Sequence, residues 1–254
     1  MVTNAALLAL TCMDLTSLNN SDDRQTISQL CQQALTPFGA PAALCVYPEW
    51  ITWARLELDR LGLNRVKIAT VTNFPSGSTD IDRAVAETTR AVAAGADEVD
   101  VVFPYQALQR GDEHCGAMLV QHCKQACGPD IKLKVIIESG VLQSTDLIAK
   151  ASIIAIEHGA DFIKTSTGKV AVNATLEAAE VMLKVIRDSG AAVGFKAAGG
   201  VRTVADASRY LQLAEQIMGP SWVTAAHFRF GASGLLQQVI AELSGQQQAP
   251  LQGY

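Results

Sequence analysis

The runs DFIKTST at 161–167 and VGFKAAGG at 193–200 decide the fold. Each is a short, largely apolar stretch that ends in hydroxyl or small side chains, the composition of a buried strand entering a loop. Six further short runs rich in apolar and β-branched residues recur along the chain: CMDLT at 12–16, ALCVYP at 43–48, KIATVTNFP at 67–75, EVDVVFP at 98–104, LKVIIE at 133–138 and HFRFGAS at 227–233. Successive starts lie 24 to 35 residues apart, matching a βαβ unit of about 30 residues. Helical patterns fill the gaps, among them 80–96 and 203–218. Eight strands alternating with helices predict a parallel sheet closed on itself, a (β/α)8 or TIM barrel. The expected organisation is one α/β domain over 1–254 with a short N-terminal helix and a flexible tail at 245–254. Two features pull against it. LLALTCMDL also fits an uninterrupted helix, which would remove the first strand, and a doubly wound open sheet is the alternative. No G-x-G-x-x-G follows an early strand to support the latter.

Composition narrows the function. Hydrophobic residues make up 49% of the 254, enough for one large core. A net charge of −5 and the lack of a basic stripe argue against a nucleic-acid surface. No run approaches the roughly 18 apolar residues of a membrane span. The N-terminus lacks a basic segment and reads as a helix rather than a secretory signal. Six cysteines show neither C-x-x-C nor zinc spacing. A cytoplasmic protein with reduced thiols is expected. A homodimer is one assembly open to it.

Charges inside apolar strands need a reason. In a barrel, chemistry sits where inward-facing side chains meet the loops at the C-terminal ends of strands. Strand alternation turns Asp100 inward, because Val99 and Val101 flank it. Lys164 and Lys196 stand 32 residues apart, one βα unit, so they belong on neighbouring strands at similar height. The bland reading pairs each lysine with a buried carboxylate, but two adjacent ammonium groups with few carboxylates nearby destabilise each other. Catalysis gains from that conflict. A free lysine of pKa ~10.4 is a neutral amine in only about one molecule in 2,500 at pH 7. Burial and a neighbouring cation together lower that pKa by up to roughly 3–5 units. A shift of about three units costs on the order of 4 kcal/mol, a cost that makes sense at a working site. Asp100 then supplies the proton transfers that a Schiff-base route requires. Lys134 stands early in its strand and reads as a buried structural charge, with Glu138 as a supporting group.

The ends of the last two strands read AGGVR at 198–202 and FGASGL at 230–235. Glycines there, with a helix start beyond, form the common phosphate site of such barrels. Gly199, Gly200 and Gly231 would let backbone N–H groups approach an anion. Ser233 could donate its hydroxyl or cap the next helix, and Thr167, Gly168 and Lys169 could add a hydroxyl and a cation.

The strings MDLT at 13–16, VTNFP at 71–75, GADEVDVVFPY at 95–105, DFIKTSTGKVAVNAT at 161–175, GFKAAGGVRT at 194–203 and FRFGAS at 228–233, with the terminal tyrosine, resemble the deoxyribose-phosphate aldolases in their longer bacterial form. The resemblance covers nearly the whole chain. It implies reversible cleavage of 2-deoxy-D-ribose 5-phosphate to D-glyceraldehyde 3-phosphate and acetaldehyde, without metal or organic cofactor and with phosphorylated sugar and aldehydes as small-molecule partners. It further implies Lys164 as the Schiff-base lysine, Lys196 as the residue that depresses its pKa and Asp100 as the proton shuttle. Thr167, Lys169, Gly200, Gly231 and Ser233 fall where the family holds phosphate. Asp14 and Thr16 fall on the sugar-hydroxyl side with Cys45 towards the same cavity, and Tyr254 matches a tail residue that assists proton transfer. Two positions depart from the family pattern: Ala197 replaces a proline, and Gly234 replaces a second serine, keeping an N–H but losing a hydroxyl. The rival readings are another lysine-dependent sugar-phosphate aldolase or transaldolase, and a non-catalytic sugar-phosphate-binding barrel.

Overall fold

A computed structural model describes residues 2–245. Tyr254 and most of the expected tail lie outside the described residues. Eight parallel strands close into a barrel in sequence order. They are β1 (Met13–Thr16), β2 (Ala43–Val46), β3 (Lys67–Thr72), β4 (Glu98–Val102), β5 (Lys132–Ile136), β6 (Phe162–Lys164), β7 (Gly194–Ala198) and β8 (Phe228–Ala232). The first strand is real: Met13–Thr16 pairs with both β2 and β8, and the preceding helix stops at Thr11. Most strands end before the apolar runs do. In β6 the ladder stops at Lys164, and Thr165–Thr167 already belong to the loop.

The helices are α1 (Val2–Thr11), α2 (Arg24–Gln33), α3 (Ile51–Arg60), α4 (Ile81–Ala93), α5 (Tyr105–Gln109) and α6 (Glu113–Cys127). After β5 come α7 (Ser139–Leu142), α8 (Thr145–Glu157), α9 (Leu176–Ser189), α10 (Val204–Met218) and α11 (Leu235–Leu243). Several begin where a side chain can bond a free backbone N–H. Asp80, Asp112, Ser144 and Thr175 cap α4, α6, α8 and α9, and Thr203 with Asp206 forms a capping box at α10. Among the described residues no helix is long and apolar enough to cross a membrane.

Strand alternation divides the core in two. Leu15, Leu44, Ile68, Val99, Val101, Leu133, Val135, Ile163, Phe195, Phe228 and Phe230 belong to the large hydrophobic cluster shared with the helices. Ala197, where the resemblance leads one to expect proline, belongs to this outer layer too. The opposite faces point into the barrel. There β2 and β3 contribute only small or apolar groups, Ala43, Cys45, Ala69 and Val71, packed with Leu18. Much of the rest of the interior is charged: Asp14, Glu98, Asp100, Lys134, Lys164, Lys196 and Arg229 are all buried. An interior so charged is stable only if nearly every charge has a partner.

Candidate active site

The register sets the geometry. Lys164 pairs with Lys196 across β6 and β7, so the spacing of one βα unit does bring the two lysines side by side. Asp100 pairs with Lys134 across β4 and β5. Lys134 therefore stands level with the carboxylate although it comes early in its own run.

One carboxylate gathers three lysines. Asp100 Oδ2 accepts hydrogen bonds from Lys164 Nζ at 2.7 Å and Lys196 Nζ at 2.7 Å, and its Oδ1 accepts one from Lys134 Nζ at 2.8 Å. Lys196 also donates to Asp14 Oδ2. Lys134 makes an ion pair of 2.6 Å with Glu98. Arg229, from β8, donates to Asp14 Oδ1 at 2.6 Å and to both oxygens of Glu98 at 2.8 and 3.0 Å. The expectation of few carboxylates near the lysines is thus corrected: three lie in the network, because closure of the barrel brings β1 and β4 against β7 and β8.

The network treats its members unequally. Asp14, Asp100, Lys134 and Lys196 are fully enclosed, whereas Lys164 keeps 3% of its surface exposed. Burial acts to lower the pKa of Lys196, but Asp100 and Asp14 outweigh it and hold this lysine above the usual lysine value. Burial also lowers Lys164; Asp100 opposes this, Lys196 adds to it, and the net direction is downward. Burial raises Asp100, yet the three lysines hold it well below the usual carboxylate range. The result is an ionised carboxylate, a fixed ammonium at Lys196 and an amine at Lys164 that gives up its proton more readily than an ordinary lysine.

Above Lys164 opens a cavity of about 260 Å³. Of the residues expected at the site, Thr16, Lys164, Thr167, Lys169, Gly199, Gly231 and Ser233 line it. Gly231 has a packing reason as well, since an added Cβ would stand 3.1 Å from Lys196 Cε. Gly199 has φ +78 and faces the Asn173 side chain so closely that a Cβ would overlap it. Lys169 Nζ donates to the Leu18 carbonyl at 2.6 Å, which ties the loop after β6 to the loop after β1.

Four expected residues lie elsewhere. Asp14 is enclosed in the ion network beneath the cavity and presents no surface to a sugar hydroxyl. Cys45 is buried in the small apolar cluster, and burial pushes its thiol up. Gly200 faces a separate cavity with Arg209 and Tyr210. Gly234 is the N-cap of α11, with open space where a Cβ would be. Other residues went unforeseen. Ser17, Leu18 and Asn19 add to the cavity wall, and Ser17 Oγ is held by Asp22 at 2.8 Å. Glu98 and Arg229 complete the network. Alternation could have found both, since Glu98 shares the parity of Asp100 and Arg229 sits between Phe228 and Phe230.

Glu138 supports the site through Thr167. It is buried with φ +55, and its Oε2 accepts the Thr167 hydroxyl at 2.6 Å, while Oε1 accepts the Thr167 N–H at 3.2 Å. Burial raises its pKa against those bonds. The anchored Thr167 oxygen in turn accepts the Lys169 N–H at 3.1 Å, which shapes the T-G-K turn beside the nucleophile candidate.

Residues 8–236 match the family described as DeoC/LacD family aldolase. Among solved structures, a “putative deoxyribose-phosphate aldolase” from Toxoplasma gondii superposes with a TM-score of 0.89 at 24% identity, covering 98% of this chain and 99% of that one. A protein of the same description from Coccidioides immitis gives 0.79 at 29% identity over 92% and 85% of the two chains. The deoxyribose phosphate aldolase of Aeropyrum pernix, described as a unique tetramer, gives 0.73 at 21% identity over 97% and 98%.

Proposed function

The chain belongs to the DeoC/LacD aldolase family and is an aldolase, and from that premise we propose that it cleaves 2-deoxy-D-ribose 5-phosphate reversibly through a Schiff base on Lys164. One observation carries the choice of lysine: of the three that bond Asp100, Lys164 alone lines the cavity. The same residue is the one whose pKa is lowered.

The neutral Lys164 amine attacks the C1 aldehyde of the open-chain sugar, and the carbinolamine loses water to give an iminium. The C3 hydroxyl then loses its proton while the C2–C3 bond breaks. Its electron pair passes towards the iminium nitrogen, leaving an enamine on Lys164 and releasing D-glyceraldehyde 3-phosphate. Protonation of the enamine at C2 and hydrolysis of the resulting iminium release acetaldehyde and restore the amine. Asp100, ionised and 2.7 Å from Lys164 Nζ, accepts and returns these protons directly at nitrogen or through water at the sugar. Lys196 stays charged and disfavours a second ammonium beside it.

The N–H groups at Gly199 and Gly231, the Ser233 hydroxyl and the Lys169 ammonium are suited to the 5-phosphate at the cavity rim. Lys169→Met should raise KM for 2-deoxyribose 5-phosphate by about ten- to a hundredfold, the worth of a charged hydrogen bond. Unphosphorylated 2-deoxyribose should be turned over as before, and steady-state kinetics on the two sugars makes the comparison. The six cysteines are all free thiols, which supports a reducing compartment such as the cytoplasm.

The substrate assignment is tested by a retro-aldol panel that measures acetaldehyde and glyceraldehyde 3-phosphate release. The expected result is cleavage of 2-deoxyribose 5-phosphate in preference to hexose and ketose phosphates. Preference for a ketose phosphate would point to another lysine aldolase on the same barrel.

A further inference from the structure

Lys164, Lys196 and Arg229 stand at matching register on three consecutive strands, β6, β7 and β8. Three cations in a row are tolerable only because carboxylates from β1 and β4 interleave with them. Lys134, from β5, brings the cations of the ion network to four, against the three carboxylates Asp14, Glu98 and Asp100. Among the described residues, three of the four cations hold at least two carboxylates each. Lys134 has Glu98, Asp100 and, at 3.6 Å, Asp14, Lys196 has Asp14 and Asp100, and Arg229 has Asp14 and Glu98. Among the described residues Lys164 has Asp100 alone, through the oxygen that Lys196 already uses.

A buried charge set is most stable when it balances, so one of the four cations is surplus. We propose that Arg229 is the residue that makes Lys164 the surplus cation: by occupying Asp14 and Glu98 from β8 it takes up carboxylate charge that would otherwise hold a proton on Lys164. Arg229 does not line the cavity and touches no substrate, so it is a positioning residue that acts through Asp14, Lys196 and Asp100. A guanidinium suits the task because it keeps its charge at any working pH and its fork fits two carboxylates at once.

The other groups around Lys164 do not offset this. From β2 comes Cys45, whose thiol is pushed up by burial and is neutral. After β5 comes Glu138, whose oxygens are engaged by Thr167. β3 offers the apolar Ala69 and Val71, and β1 offers Thr16 beside the Asp14 already counted.

The inference rests on Lys164 being the Schiff-base lysine. Its test is the pH dependence of borohydride trapping with acetaldehyde, read at the Lys164 peptide. Arg229→Met should move the midpoint of trapping to higher pH by about one pH unit or more, because three lysines then face three carboxylates. Glu98→Gln should move it the opposite way, and the double variant should return it towards the wild-type midpoint. Arg229→Lys, which keeps the charge, should leave it close to wild type. Shifts in the same direction for Arg229→Met and Glu98→Gln, or no shift in either, would overturn the inference and leave the pair a purely structural clamp. Should Arg229→Met fail to fold, an unmoved midpoint in Glu98→Gln, or a large alkaline move in Arg229→Lys, would overturn it as well. Absence of any Lys164 adduct in the wild-type enzyme is a different failure, because it removes the Schiff-base reading itself.

Discussion

Lys164→Met should lower retro-aldol turnover by roughly 10⁴-fold or more, the scale seen when a covalent nucleophile is removed. It should do so without loss of stability. Among the described residues Lys164 is the network cation with only one carboxylate, and Asp100 retains Lys134 and Lys196 after the change. Methionine also fills the enclosed stem of the lysine with apolar volume. Turnover assays beside thermal unfolding separate the two effects. A melting temperature at or above that of the wild type, combined with lost activity, is the expected pair. Comparable losses in both would mean that Lys164 is a structural ion-pair partner, the bland reading of a buried lysine.

Asp100→Asn should be costly in both respects, with a telling exception. Breaking a buried ion pair by removing one partner costs about 3–5 kcal/mol, and here one residue serves three lysines. Lys134 keeps Glu98 and Lys196 keeps Asp14, so the fold retains part of the network. Turnover should fall by about 10²–10⁴-fold as the proton relay is lost. Lys164, however, is lowered by burial and by Lys196, and Asp100 is the carboxylate that opposes them. Without it the amine gives up its proton at still lower pH. Adduct formation with acetaldehyde should therefore persist at neutral pH while turnover collapses. Parallel loss of adduct and turnover would assign Asp100 to shaping the nucleophile rather than to moving protons.

The barrel was readable because its strands repeat at regular intervals and alternate in chemistry. The pairing of Lys164 with Lys196 followed from a spacing of one βα unit, and the inward aim of Asp100 followed from its flanking valines. What escaped depends on closure. Glu98 and Arg229 lie 131 residues apart in sequence, and nothing local ties a carboxylate on β4 to an arginine on β8. They meet because the sheet curls until opposite strands face each other across the interior. The level of Lys134 escaped for a related reason: register between strands, not position along one, sets height in a sheared barrel. Asp14 shows the limit of carrying a site residue over from a family resemblance. It sits one pair of residues below Thr16, and that step moves it from the cavity wall into the ion network. The wall formed by Ser17, Leu18 and Asn19 had no strand signal, because loop conformation there is set by Asp22 and by Lys169 from across the barrel.

Borohydride reduction of the wild-type enzyme with acetaldehyde, followed by peptide mass spectrometry, tests the central assignment most directly. Lys164 as nucleophile predicts one ethyl group on the peptide that carries Lys164 and none on those that carry Lys134 or Lys196. Labelling chiefly at Lys196 or Lys134, or an active enzyme that traps no adduct, would contradict it.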